Sequence, residues 1–172
     1  MKEKKAFRII IDILAIALLL SVDQFTKHLA IINLKGQAPV SLIDGVLELQ
    51  YLENKGAAFG MLQNKKALFV FMTIVMLTVV FYVIFKLPNR KKFITWQIFL
   101  CCICAGGIGN MIDRVRFDYV VDFIYFKLID FPIFNFADIL ITIGTILLFI
   151  VILFFVKEDE LQFLKFNIRK DQ

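Results

Sequence analysis

Histidine is almost missing from this chain, and cysteine is confined to one place. His28 is the single histidine, and Cys101, Cys102 and Cys104 all lie inside one apolar run. A metal site needs several nitrogen or sulfur ligands brought together, so no metal is expected here, and no other cofactor. An odd number of cysteines, none in a polar segment, argues against a disulfide framework; the three read as small buried apolar side chains. The same scarcity leaves no Ser–His or Cys–His pair to serve as a nucleophile. Internal repeats and linkers are absent too, which leaves one unit. Nor is there a soluble basic face: the net charge of +5 comes from residues set between apolar runs, so nucleic acid is not an expected partner.

What is present is apolar surface. Of 172 residues 60% are hydrophobic, 20 of them phenylalanine, and the mean hydropathy is positive. This composition belongs in lipid. Four runs, about 7–32, 67–87, 94–112 and 136–156, are long enough to span a bilayer, which predicts an α-helical integral membrane protein. The first follows Lys2, Lys4, Lys5 and Arg8 as in a signal peptide, but it is too long for one, and no small-residue cleavage site follows. Lysine and arginine crowd the N-terminus, the loop 88–93 and the tail 157–172. They are sparser in 33–66 and 113–135, so both termini are expected in the cytoplasm and those two segments outside.

Segment 33–66 is too polar to span. Leu47, Leu49 and Tyr51 alternate with Glu48 and Gln50 after a hairpin-like Asp44-Gly45, so a small sheet on the outer membrane surface is expected. Over 161–168 apolar residues recur at helical spacing beside basic ones, which fits either a surface-lying helix or a frayed tail.

The chemistry gathers at one membrane edge. Asp122 and Asp138 flank a short apolar segment broken by Pro132, and Asp138 opens the fourth run. Carboxylates at a membrane edge are costly and therefore count as functional candidates. Asn135-x-x-Asp138 also reads as a capping box, which accounts for one acid but not for Asp122. The positive end of the fourth helix favours an ionised Asp138, and two adjacent carboxylates cannot both ionise easily. One base and one acid could then activate water against an amide carbonyl. In the first run, Asp12 reads as the local partner of Arg8. Asp23 reads either as an interfacial acid paired with Lys27 or as part of the site. Asn54-Lys55-Gly56-Ala57-Ala58-Phe59-Gly60 permits close backbone approach but also reads as an ordinary turn. On the third helix Gly106, Asn110, Asp113 and Arg114 share a face, suited to tight helix packing capped by an ion pair, to a site, or to both.

These stretches resemble, in order along nearly the whole chain, the motifs of the bacterial lipoprotein signal peptidase family, signal peptidase II. They are Asp23-Gln24-Phe25-Thr26-Lys27, Asn54 to Gly60, Gly109-Asn110-x-x-Asp113-Arg114, Val120-Val121-Asp122-Phe123 and Phe134-Asn135-x-Ala137-Asp138. The resemblance implies an aspartic endopeptidase of the cytoplasmic membrane. Its substrates would be diacylglyceryl-modified prolipoproteins, cleaved just before the lipid-modified cysteine. It implies Asp122 and Asp138 as the catalytic dyad. Asn54, Gly56, Asn110, Asp113, Arg114 and Asn135, with Asp23 and Lys27, would bind substrate or support the site. The expected partners are these substrates and membrane lipids, and a monomer is expected. Many relatives carry a glycine shortly before Val-Val-Asp, where this chain has Val115-Arg116-Phe117-Asp118-Tyr119.

Three other classes fit less well. A proton-coupled transporter would place its acids near the midplane, often within inverted repeats. A disulfide-exchanging protein would need cysteines at the membrane surface. A purely structural subunit has no use for so many polar groups on one side.

Overall fold

Residues 2–56 and 65–156, with 161, 163 and 164, are described by the structure, a computed structural model. Four long helices carry a three-stranded sheet: α1 (Lys2–Leu34), β1 (Val40–Ile43), β2 (Leu47–Asn54), α2 (Lys66–Lys86), α3 (Ile94–Phe117), β3 (Val120–Phe126) and α4 (Phe136–Phe155). Short 3-10 turns, Lys91–Phe93 and Lys127–Ile129, precede α3 and follow β3. Among the described residues three helices, α2, α3 with its leading turn, and α4, are long and apolar enough to cross a membrane. The fourth, α1, is longer still but buries four charged side chains, Arg8, Asp12, Asp23 and Lys27.

Apolar groups face outward as well as inward, as a lipid solvent allows. Phe71, Phe149 and Phe154 are exposed, while Leu77, Val80 and Ile84 of α2 pack on Trp96, Leu100 and Ile103 of α3. Phe163 packs edge-on against Phe93 and Trp96. Leu161 packs against the same cluster, and residues 162 and 165–168 of the expected tail helix lie outside the described residues. The second cluster joins α1 to the sheet: Ala30 and Leu34 meet Val121 and Phe123, with Leu49 and Tyr51 beside them.

The sheet is antiparallel in the order β1-β2-β3. Gly45 takes the left-handed turn position (φ 71°) between β1 and β2, the hairpin that Asp44-Gly45 announces. Strand β3 is an addition to the expected sheet. Between Leu49 and Leu52 the β2 strand carries one extra residue against β3, a bulge that sets Leu52 opposite Asp122 and Asn54 opposite Val120. The chain then folds back, and Phe134 exchanges backbone hydrogen bonds with Ile124 in both directions at 2.8–3.0 Å. That bridge delivers Asn135 alongside Asp122.

Helix packing is closest where side chains vanish. A β-carbon at Gly106 would run into the Ala137 carbonyl of α4, and one at Gly109 into the Asp23 carboxylate of α1.

Two expectations change. Helix α3 continues to Phe117, past the expected apolar run ending at 112, and carries Asp113 and Arg114 on it as their shared face with Gly106 and Asn110 requires. Arg8 and Asp12 form no ion pair among the described residues. Pro88 has no N–H to offer the Ile84 carbonyl, so the end of α2 leaves acceptors open. The Arg8 guanidinium fills them, donating to Leu87 O at 2.8 Å and Ile84 O at 3.1 Å. Asp12 accepts instead from Gln97 Nε2 and from Cys101 Sγ.

Candidate active site

The fourth helix begins with a complete capping box. Asn135 Oδ1 accepts from the Asp138 N–H at 3.1 Å, and Asp138 Oδ2 accepts from the Asn135 N–H at 3.1 Å. The cap does more than close the helix. The Asn135 side-chain amide is fully buried and donates both of its hydrogens, to Asp122 Oδ1 at 2.6 Å and to Asn110 Oδ1 at 3.2 Å. One residue therefore holds the carboxylates of β3 and α4 together.

Each carboxylate is addressed by two N–H donors. Asp122 also accepts from Asn54 Nδ2 at 2.8 Å, and Asp138 Oδ1 accepts from Asn110 Nδ2 at 2.7 Å. Both acids line a pocket of about 280 Å³ with Asn54, Gly56, Asn110 and Arg114. Asp122 is 1% exposed. Burial, then the Asp138 charge, push its carboxyl up to about 7, against the pull of the Asn54 and Asn135 amides and of Lys27. At neutral pH the pocket therefore holds an Asp122 poised between its acid and its carboxylate form.

Behind the pair stands a buried cation. Lys27 is 2% exposed and spends its three N–H donors on Asp23 at 3.0 Å, Asp113 at 2.9 Å and Asn110 Oδ1 at 2.9 Å. The two acids in turn hold backbone: Asp23 Oδ1 accepts from the Ala137 N–H at 3.0 Å, and Asp113 Oδ2 from the Val121 N–H at 3.2 Å. Those amides sit one residue from Asp138 and one from Asp122. The network thus fixes the two segments that carry the pair.

At the pocket mouth, Arg114 reaches the Gly56 and Asn110 carbonyls at 3.4 Å, and its guanidinium lies 4.8 Å from the centre of the Phe69 ring. Asn54 Oδ1 accepts from the Gly56 N–H at 3.0 Å, a local turn that bends the chain away from β2. Residues 57–60 of the Asn54–Gly60 stretch lie outside the described residues.

All ten residues singled out in the sequence, Asp23, Lys27, Asn54, Gly56, Asn110, Asp113, Arg114, Asp122, Asn135 and Asp138, join one connected set of hydrogen bonds and ion pairs. The i,i+4 pairing of Asp23 with Lys27 is present, and Asp23 also reaches the Ala137 N–H, so the pairing and the membership of this connected set are compatible. Gln24 was missed. Its amide donates to Asp23 Oδ2 at 3.0 Å, to Asp113 Oδ1 at 3.2 Å and to the Gly109 carbonyl at 3.4 Å. Helical spacing gives no reason to pair neighbours i and i+1; only the crowding of Asp23-Gln24-x-x-Lys27 signals it.

The turn ahead of Asp122 uses an aspartate where a glycine would be easiest. Asp118 adopts φ 68°, closes α3 through its N–H to Arg114 O, and pairs with Lys66 at 2.6 Å. Among side chains, Asp and Asn tolerate this backbone region best.

Comparison with known proteins places the chain beside one family. The family model described as Signal peptidase (SPase) II matches residues 15–154. A lipoprotein signal peptidase of Caldanaerobacter subterraneus subsp. tengcongensis is 45% identical over 137 residues, covering 79% of this chain and 91% of its own. That of Streptococcus thermophilus (strain CNRZ 1066) is 41% identical over 138 residues, 80% of this chain and 89% of its own. A solved bacterial membrane enzyme superposes with a TM-score of 0.74 at 34% identity, over 84% of this chain and 94% of that one.

Proposed function

The chain belongs to signal peptidase II, the membrane family that removes signal peptides from prolipoproteins, and from that premise we propose that Asp122 and Asp138 are its catalytic pair. The observation that carries this reading is the Asn135 bridge, which ties both carboxylates to one pocket. Asp138 stands in the first turn of α4 with two N–H donors on it, an environment that suits a carboxylate. Asp122 is the more deeply desolvated of the two roles and supplies the proton.

The reaction then runs by water attack with no covalent acyl-enzyme. Asp138 takes a proton from water as it adds to the scissile carbonyl; Asp122 gives its proton to the carbonyl oxygen. Collapse of the tetrahedral species breaks the C–N bond: one hydroxyl returns its proton to Asp122 as the new carboxyl forms, and the proton gained by Asp138 passes to the leaving amine. Asn54, Gly56, Asn110 and Arg114 line the pocket as groups that hold the substrate backbone, while Asp23, Lys27 and Asp113 support the pair from behind.

The substrate is a prolipoprotein whose lipobox cysteine carries diacylglycerol, cut just before that cysteine. A carboxylate pair at a membrane edge beside an apolar sheet face suits a scissile bond presented from lipid. The basic residues set the orientation: both termini and the loop 88–93 in the cytoplasm, 33–66 and 113–135 outside, with α1 as the remaining span of a monomer. The test is incubation of the purified enzyme with a diacylglyceryl-modified prolipoprotein and with its unmodified form. Release of the signal peptide from the first alone is expected; equal cleavage of the second overturns the lipid requirement.

A further inference from the structure

At the end of the bundle away from Asp122 and Asp138, α1 and α3 line a second, half-open cavity of about 660 Å³, within the range of built ligand sites. Its walls are apolar: Ile11, Ala15 and Leu19, a ridge of α1 at steps of four, face Ile98 and Cys102 of α3. Arg8 and Asp12 also line it, and neither belongs to the chemistry proposed above. They are only 8% and 5% exposed, yet Arg8 Nε and Asp12 Oδ2 each lack a hydrogen-bond partner. Buried polar atoms are rarely left this way, and charged groups kept inside a membrane bundle are rarely idle.

The surroundings specify the sign of the missing partner. Asn89 lines the cavity and is followed by exposed Arg90 and Lys91, while exposed Lys5 lies one turn before Arg8. Across residues 5–20 and 84–104, Asp12 is the only carboxylate. It sits one turn deeper than Arg8, about 6 Å along the helix, where it opposes entry of a second negative charge. An anion is therefore welcome at the mouth and unwelcome inside, where apart from Asp12 and its partner Gln97 the walls are mostly apolar.

We infer that this cavity binds one anionic bilayer phospholipid, its phosphate beside Arg8 and Asn89 and one acyl chain between α1 and α3. Net negative charge is matched by the basic rim, and the Arg8 guanidinium supplies the cation beside the phosphate. The Arg8 side chain would thus join the lipid to the end of α2 through Leu87 and Ile84.

The test uses full-length enzyme in detergent, with phosphatidylglycerol or phosphatidylcholine added at equal concentration and bound lipid counted by native mass spectrometry. At least tenfold preferential retention of one phosphatidylglycerol is expected. Ala15→Trp, which fills the slot, should abolish it while signal-peptide release continues, and Arg8→Gln should remove the headgroup preference. Equal retention of both lipids, retention that survives Ala15→Trp, or a dimer with no lipid adduct overturns the inference. Should Ala15→Trp fail to insert, the wild type still decides. A phosphatidylglycerol with a photoreactive acyl chain should label α1 and α3 between residues 7–19 and 94–102, whereas labelling spread evenly over the lipid-facing helices overturns the site.

Discussion

The side-chain amide of Asn135 donates to Asp122 Oδ1 at 2.6 Å, so a helix cap and a proposed catalytic acid share one residue. The two duties can be separated by chemistry. Serine caps a helix as well as asparagine does, but it is too short to bridge to β3. Asn135→Ser is therefore expected to keep the cap and to lose about 1–3 kcal/mol of stability, from the buried Asp122 acceptor left without this donor. It should lose roughly 10–100-fold in kcat, the worth of one hydrogen bond to a charged or ionisable group. A thermal melt beside a cleavage assay checks this; unchanged kcat would reduce Asn135 to a cap.

Asp122 also gives stability a pH dependence with a defined sign. Its carboxyl is raised from the ordinary aspartate range to about 7 in the folded state, so the folded protein holds this proton more tightly than the unfolded chain does. The associated stability is full below about pH 4 and is lost as pH rises through about 7. Asp122→Asn removes the ionisation. The mutant should melt higher than wild type at pH 8, by the equivalent of roughly 1–4 kcal/mol, and the gap should close near pH 4. Parallel melts across that range test the sign, and a mutant less stable than wild type at pH 8 contradicts it.

How much of this was legible beforehand depends on the range of each signal. Long apolar runs give helices directly, because eighteen or more such residues have few other fates. Gly45 gives the hairpin because a two-strand turn needs its left-handed backbone. Strand β3 stayed hidden: Val120-Val121-Asp122-Phe123-Ile124-Tyr125-Phe126 is nearly continuous in apolar residues, with no alternation to mark it. The site residues could be named from their motifs, but their connection could not. Nothing in the chain order says that Lys27 meets Asp113, or that Phe134 returns to Ile124. The Arg8–Asp12 pairing failed for a related reason. Spacing along one helix is visible in a sequence, whereas carbonyls orphaned by Pro88 on another helix are not.

The buried Lys27 network should behave as support. Asp23→Ala leaves the Ala137 N–H without its acceptor and removes one of two carboxylates from a buried ammonium. Breaking a buried pair in this way costs about 3–5 kcal/mol. A clear fall in the thermal midpoint is expected together with lowered turnover. Full stability with complete loss of turnover would instead give Asp23 a direct part in the chemistry.

The proposed orientation has a simple readout. With the basic loop inside and the hairpin outside, reporter fusions at Asn89 and at Asp44 should report opposite sides of the membrane. The same side for both removes one span and, with it, the placement of the sheet.

The last prediction concerns the pair itself. No nucleophile of the Ser–His or Cys–His kind is available among the described residues: Cys101, Cys102 and Cys104 stand mid-helix on α3, and His28 is the one histidine. A single carboxylate could supply a base or an acid, but not both at one pH. Asp122 and Asp138 can divide the roles because their settings differ, one deeply desolvated on a strand and the other in the first turn of α4. Such a pair titrates as a unit, so kcat/KM should follow a bell that belongs to neither residue alone, its basic limb falling at about pH 7, where the pair gives up its shared proton. Asp122→Asn and Asp138→Asn should each abolish cleavage. Because the two act in one proton transfer, the double mutant should be hardly worse than either alone. Asparagine keeps the shape and part of the hydrogen bonding, so both single mutants should insert and still retain lipidated substrate in a pull-down. Turnover surviving at more than about 1% of wild type in either purified mutant would exceed what loss of an acid–base partner allows, and the pair would have to be sought elsewhere.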